Sequence, residues 1–175
     1  MRRSGARLGQ HFLTNTRIAE AVVDAANIKK GDRVVEVGPG KGILTRALLN
    51  RGARVVAIEK DSAMVEILNQ KFSNEIKNKT LVLKSGDIRT TIYDSVPREP
   101  YKVAANIPYY ITGELLRLFL SAERQPEALA FLVQKEVAER IARSKKESLL
   151  SLSVKAYGTP RYVKTVSKGN FNPPP

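Results

Sequence analysis

The stretch "AANIPYYITGEL" ends an apolar run on Asn106 and follows it with Ile107, Pro108, Tyr109 and Tyr110. These are groups that can hold a planar amine. An adenine N6 amine is a poor nucleophile, because its lone pair is delocalised into the ring, and it needs orientation more than a strong base. The side-chain oxygen of Asn106 can accept one N–H and the backbone carbonyl of Pro108 the other. Together they aim the nitrogen at an electrophilic methyl, so that positioning and electrostatics carry the catalysis. Tyr109 offers a flat face for a base, which must leave its stack to be modified. Tyr110 cannot readily face the same side, and either turns to the site or packs over the sheet. The plainer alternative is a loop in which Pro108 stops a strand and both tyrosines cover the core.

A second group of residues lies in Glu36-Val-Gly38-Pro-Gly40-Lys-Gly42. Glycines between a strand and a helix let the backbone bend sharply and approach a ligand that a Cβ would push away. The spacing is not the dinucleotide fingerprint, which needs a glycine where Ile43 stands, and this disfavours a nicotinamide oxidoreductase. Glu59 ends the next strand 21 residues beyond Gly38 and can accept hydrogen bonds from ribose hydroxyls. Otherwise it is a solvated strand-end acid. Asp87, in "SGD", can take the exocyclic amine of an adenine; otherwise it is an Asx-turn or a helix cap. An acidic rim fits a cationic cofactor with free ribose hydroxyls and fits a pyrophosphate poorly. S-adenosylmethionine, a sulfonium carrying an adenosine, meets these demands.

The elements that must position these residues are legible from period and punctuation. Residues 16–27 have a helical apolar face through Ile18, Val22 and Ala25/Ala26. "RVVEVG", "ARVVAIE", "TLVLKSGD", "YKVAANI" and "ALAFLVQ" predict five strands, and Asp61 predicts the cap of a helix whose Met64, Val65, Leu68 and Phe72 face the core. Helices are expected at 43–48, 112–121 and 135–143. Residues 149–157 alternate like a strand and also fit a helical face. "RYVKTVS" reads as a last strand, and "GNFNPPP" as an end that buries nothing. Strands alternating with helices predict an α/β fold: a mostly parallel, Rossmann-like sheet with helices on both faces, in one domain over residues 1–175.

Composition narrows the classes. The chain has 175 residues, 42% of them hydrophobic, enough for one sizeable core. It has no cysteine and a single histidine, His11, so no metal site is expected, and a reducing cytoplasm is the natural compartment. No apolar run reaches the roughly 20 residues of a membrane span, and the basic opening lacks the apolar core of a secretory signal. Thirty Lys+Arg against 17 Asp+Glu give a net charge of +13. Residues 135–168 hold nine Lys/Arg against three Glu, and the first seventeen residues carry four arginines and no acid. This points to a polyanionic partner, nucleic acid rather than membrane; the alternative for 135–168 is a solvated helix face.

"GQHFL", "EVGPGKGILT", "IEKD", "GDI", "NIPYYIT", "VQKEVAERI" and "FNPPP" stand in the order found in the ribosomal RNA adenine N6-dimethyltransferases, and the chain resembles that family over nearly its whole length. "QKEVAERI" and "PYYIT" resemble the small-subunit, kasugamycin-sensitivity type more than the erythromycin-resistance enzymes. The resemblance implies a class I S-adenosylmethionine-dependent fold and a monomer that makes N6,N6-dimethyladenosine at two adjacent adenines of small-subunit RNA in an assembling subunit. It implies that His11 and Leu13 lie against the cofactor with Gly38, Gly40, Glu59, Asp87 and Asn106. It also implies that Phe171 and Tyr109 sandwich the target base. Members of the family continue past "FNPPP" with an inserting strand and a small helical domain. Their absence implies a truncated catalytic domain of reduced stability and reduced RNA activity. It also implies a helix at 149–157 and an edge strand at "RYVKTVS". The alternatives are a non-catalytic ribosome-assembly or RNA-binding factor of the same fold, or a DNA adenine methyltransferase.

Overall fold

The computed structural model describes residues 11–107 and 109–175, with the side chains of Tyr93 and Tyr109 excepted. Five parallel strands form one sheet: β2 (Arg33–Val37), β3 (Arg54–Glu59), β4 (Leu81–Ser85), β5 (Lys102–Asn106) and β6 (Ala128–Leu132), in the order β4-β3-β2-β5-β6. A further two-stranded antiparallel ladder joins β1 (Phe12–Leu13) to β7 (Phe171–Asn172). The chain winds outward from β2 through β3 and β4, then returns to lay β5 and β6 on the other side of β2. Winding reverses between β2 and β5, and a crevice opens at such a switch point beyond the carboxyl ends of the strands. Val37 and Asn106 end the two strands that flank it.

Strand alternation sends side chains to two cores. Val34, Ala57, Ala104 and Ala130 face α1 (Thr16–Ala25), α2 (Ile43–Asn50) and α3 (Ser62–Lys71), where Val23, Leu48, Leu68 and Phe72 are fully buried. Val35, Val37, Ile58, Val103 and Ala105 face the opposite way, toward α5 (Ile88–Ser95) and α6 (Thr112–Leu120). Beyond α6, α7 (Lys135–Ala142) and α8 (Leu149–Tyr157) bury Ile141 and Val154 against Leu116. A short α4 (Ser73–Lys77) follows α3 directly.

The five expected strands and the helices at 16–27, 43–48, 112–121 and 135–143 are present, with ends shifted by a few residues. Helix α1 stops at Ala25, and the chain leaves it through Asn27 at φ 48°, the left-handed conformation that ends helices. Asp61 caps α3 by accepting from the Ala63 amide, while Leu68 and Phe72 are buried and Met64 and Val65 half-buried. Residues 149–157 are a helix. Ser148 caps it and Ser151 closes a capping box, which a strand reading has no use for.

Two expectations fail. "RYVKTVS" is no strand: residues 160–167 join no ladder, because β-branched alternation makes a strand only where a neighbour takes its hydrogen bonds. "FNPPP" is not idle either. Phe171 is half-buried against the larger core and pairs with Leu13, and the Thr14 amide donates to Asn170 O at 2.9 Å.

Asn15 ties this ladder to the fold. Its oxygen caps α1 by accepting from the Arg17 amide at 2.9 Å, and its amide donates to Asn170 Oδ1 at 2.7 Å. Asn15→Ala is expected to cost ~1 kcal/mol in urea unfolding and to speed hydrogen exchange at Thr14. Unchanged exchange at Thr14 would show that the clasp holds without Asn15.

Candidate functional site

Glu59 organises the crevice from below. It ends β3, is 3% exposed, and accepts the amide of Gly40 on Oε2 at 3.0 Å and of Asp61 on Oε1 at 2.9 Å. One carboxylate thus fixes the glycine turn after β2 and the turn leading to α3. It is not the solvated strand-end acid of the plainer reading, and two of its roughly four lone-pair directions remain for a ligand. Gly38 has φ +65° and open space where a Cβ would stand. Gly40 has φ +54°, and a Cβ there would meet the Phe12 ring at 2.8 Å. The glycines therefore serve two different ends: one leaves room over the crevice, the other lets β1 lie on the turn. Lys41 places Nζ 5.2 Å from the centre of the same Phe12 ring.

Asn106 enters from the other side of the switch point. Its Nδ2 donates to the backbone carbonyl of His11 at 2.9 Å, with the amide assigned by that bond. The donor end is thereby occupied and the oxygen end is left as an acceptor. The His11 ring bonds the Pro173 carbonyl through Nδ1 at 2.9 Å, so Asn106, His11 and the last residues of the chain form one connected strap over the glycine turn.

His11, Leu13, Gly38, Gly40, Glu59 and Asn106 line one crevice. Asp87 does not. It follows β4, one strand further out, and is the N-cap of α5, accepting from the Arg89 amide at 3.1 Å. The Arg89 guanidinium beside it, aided by Lys60 at 3.0 Å, holds its carboxyl well below the usual carboxylate range. The helix-cap alternative describes what Asp87 does in this structure, with a partly exposed carboxylate still on the rim. Phe171 sits opposite Leu13 rather than in the crevice wall. Tyr109 lies in a single 3₁₀ turn (Tyr109–Ile111), Tyr110 is 65% exposed, and Pro108 and the Tyr109 side chain fall outside the described residues.

Glu36, Phe12 and Lys41 also line the crevice, and sequence reasoning gave none of them a role there. Glu36 was legible, because it stands at an inward position of β2 where alternation calls for a residue like Val34. It is 1% exposed, and among the described residues neither carboxylate oxygen has a hydrogen-bond partner. Burial pushes its pKa up to about 8; Thr45 beside it opposes the shift and the Glu59 charge adds to it. Among the described residues no three His, Cys, Asp or Glu side chains gather as metal ligands, and no helix is long and apolar enough to cross a membrane. An orphaned buried acid, open space over Gly38 and a carboxylate with spare lone pairs fit a cationic nucleoside cofactor.

Comparison with known proteins agrees with this geometry. The sequence model of the ribosomal RNA adenine dimethylases matches residues 1–175. A ribosomal RNA small subunit methyltransferase A from Dehalococcoides mccartyi is 43% identical over 96% of this chain and 58% of its own length. The chain thus spans about three-fifths of that relative. Among solved structures, a dimethyladenosine transferase from Plasmodium falciparum superposes with TM-score 0.82 at 33% identity, covering 94% of this chain and 59% of the other. The 23S rRNA methyltransferase ErmE follows with TM-score 0.81 at 26% identity, covering 94% and 65%. The fold is the Rossmann-like one of class I methyltransferases, and the chain belongs to the ribosomal RNA adenine dimethylase family.

Proposed function

We propose that this chain is the catalytic domain of an S-adenosylmethionine-dependent enzyme that methylates N6 of adenines in small-subunit ribosomal RNA, giving N6,N6-dimethyladenosine. The observation that carries the reading is Asn106. Its amide hydrogen is engaged by the His11 carbonyl, which leaves an oxygen at the switch point to accept an amine N–H. A loop that only covered the sheet would have no need of that orientation. Family membership and the strength of the match to small-subunit relatives support the substrate class.

When bound, S-adenosylmethionine supplies an electrophilic methyl on a sulfonium. The chain's own residues do the rest. Glu59 takes ribose hydroxyls with the lone pairs its two backbone amides leave free. Gly38, Leu13 and His11 close around the cofactor, and Asp87 accepts from the adenine amine with what Arg89 and Lys60 leave. Asn106 and the Pro108 carbonyl hold the two hydrogens of the target amine, so the nitrogen lone pair points inward. Tyr109 and Phe171 stack on the extruded base, and the pairing of Phe171 with Leu13 links base and cofactor through one short ladder. Small-subunit RNA in the assembling subunit is the macromolecular partner, and the enzyme acts as a cytoplasmic monomer.

Three experiments test the assignment. In a tritiated-methyl assay on unmethylated small subunits, Asn106→Ala should lower transfer by ~100-fold or more while the protein stays folded. Transfer within a few-fold of the parent would remove Asn106 from the chemistry. Asp87→Asn keeps a good helix cap but gives up the ion pairs with Arg89 and Lys60, so its unfolding midpoint should fall modestly. If the carboxylate meets the adenine, cofactor affinity should still drop about tenfold, the effect of losing one charge-assisted hydrogen bond. Equal affinity would leave Asp87 a cap and nothing more. Lys145 and Lys146 are exposed in the turn between α7 and α8. Reversing both to Glu should weaken RNA binding and flatten its dependence on log salt by roughly 2, and an unaltered slope would take that patch out of the interface.

A further inference from the structure

A second cavity, of about 270 Å³, opens at the other end of the sheet from the crevice, where Arg33 begins β2, Arg54 begins β3 and Lys79 leads into β4. Its floor is apolar. Val56 and Val82 are register partners on neighbouring strands, and Val56 packs on the α5 side of the sheet, so both face that way. Helix α5 leaves this edge uncovered: Val82 is 44% exposed, and Val96 and Pro97, just past the end of the helix, form the side wall. Ser95, the last residue of α5, also lines the cavity. It is 4% exposed, and its hydroxyl has no hydrogen-bond partner among the described residues.

The rim is basic. Arg33, Arg54, Lys79 and Lys84 line the cavity against one acid, Asp94. Two of these cations are tied to the protein: Arg33 pairs with Glu99 at 2.9 Å, and Lys84 donates to the Asp94 carbonyl. The side chains of Arg54 and Lys79 make no hydrogen bond or ion pair among the described residues. Lys79 also stands in an unusual place, at φ 57° just after α4. Asn27 is the other non-glycine residue at positive φ among the described residues. The left-handed region crowds the Cβ of an L side chain; asparagine tolerates it and glycine is at home there. A lysine kept where glycine would sit without strain is accounted for by a use for its charge.

We propose that this cavity is a second RNA contact, remote from the crevice, which takes one nucleotide of a single-stranded segment, its phosphate between Arg54 and Lys79 and its ring on the valine floor. Two features together select the occupant. Free cations at a rim take an anion, and a concave apolar floor takes a flat ring; a single-stranded nucleotide carries both. A membrane surface would meet apolar groups that protrude, and these are recessed. An acidic peptide would supply the charge without the ring. The choice of RNA rests on the small-subunit reading above. The cavity lies at the β4 edge of the sheet, whereas α7 and α8 pack beside β6 at the opposite edge. The Lys145–Lys146 turn is therefore a separate contact, and each can be tested alone.

Hexauridylate is the probe, because it carries no adenine for the crevice to take. Added to the chain at low salt, it should shift the NMR methyl signals of Val56 and Val82 and the amide signal of Ser95 in one saturable phase. Inorganic phosphate or hexaglutamate at the same concentration should leave those signals in place. Arg54→Ala combined with Lys79→Ala should flatten the dependence of log Kd on log salt by roughly 1.4, about 0.7 for each cation lost. Lys79→Gly relieves the backbone of the turn, so it should melt no lower than the parent and still lose about half of that slope. Val82→Asp, at an exposed position, should abolish the hexauridylate shifts and leave S-adenosylmethionine binding unchanged. No shifts at the cavity, shifts confined to the Lys145–Lys146 turn, or equal shifts with phosphate or hexaglutamate would overturn the inference and leave the proposed function standing. A parent chain that held hexauridylate in the cavity and methylated no small subunit would keep the RNA contact and overturn the function.

Discussion

Two backbone amides converge on the carboxylate of Glu59, one from the glycine turn after β2 and one from the turn after β3. Neither turn makes sense alone. The glycine turn runs through three residues at positive φ; Gly38 is held by the Ile58 carbonyl and Gly42 by the first bond of α2, while the amide of Gly40 between them goes to Glu59. The Asp61 turn must end a strand and open a helix within two residues. A buried acid accepting both amides fixes the glycine turn against the end of β3, and so sets the β2 side of the crevice. The arrangement is charge-assisted and screened from water, the setting in which a hydrogen bond is strongest and its loss most felt. Neighbouring parts of the site take their positions from it. The turn carries Gly40 against Phe12, Phe12 seats β1, and β1 places the His11 carbonyl that orients Asn106.

The parts of the fold that the sequence makes legible are those where one local signal suffices. Strands β2 and β5 are short apolar runs with β-branched or small residues, stopped by a glycine or by "NIP", and their alternation survives into the two cores. Helix α5 is not among the expected helices, although the helix-cap alternative for Asp87, with Ile88 and Ile92 one turn apart on a face, carries the signal. Residues 160–167 show the opposite limit. Tyr162, Val163 and Val166 have strand propensity, but a strand is a relation between two segments, and among the described residues no second segment meets this one in the sheet.

The same distinction separates the legible from the illegible within the site. Gly38, Glu59 and Asn106 could be read because each stands at the end of a strand, and in a parallel sheet all those ends share one rim. The strap could not be read. Its pairing joins residues 158 positions apart, Leu13 with Phe171, through two strands of two residues each, and no periodicity can show in so short a run. What holds it is a set of polar contacts: Thr14 and Asn15 to Asn170, His11 to Pro173. Each of these needs the fold complete before the partners meet.

The strap joins β1 to β7, so the two sides of the crevice mouth are tied through one ladder. Leu13 lines the crevice, and Phe171 pairs with it and packs on the core. A displacement of β1 that kept the ladder would carry residue 171 with it and would shift the His11 carbonyl relative to Asn106. An Asn106 amide released from His11 would be free to rotate. β1 and β7 are thus tied by backbone pairing together with the polar side chains of His11, Thr14 and Asn15. A break in that ladder would loosen β1 and β7 together.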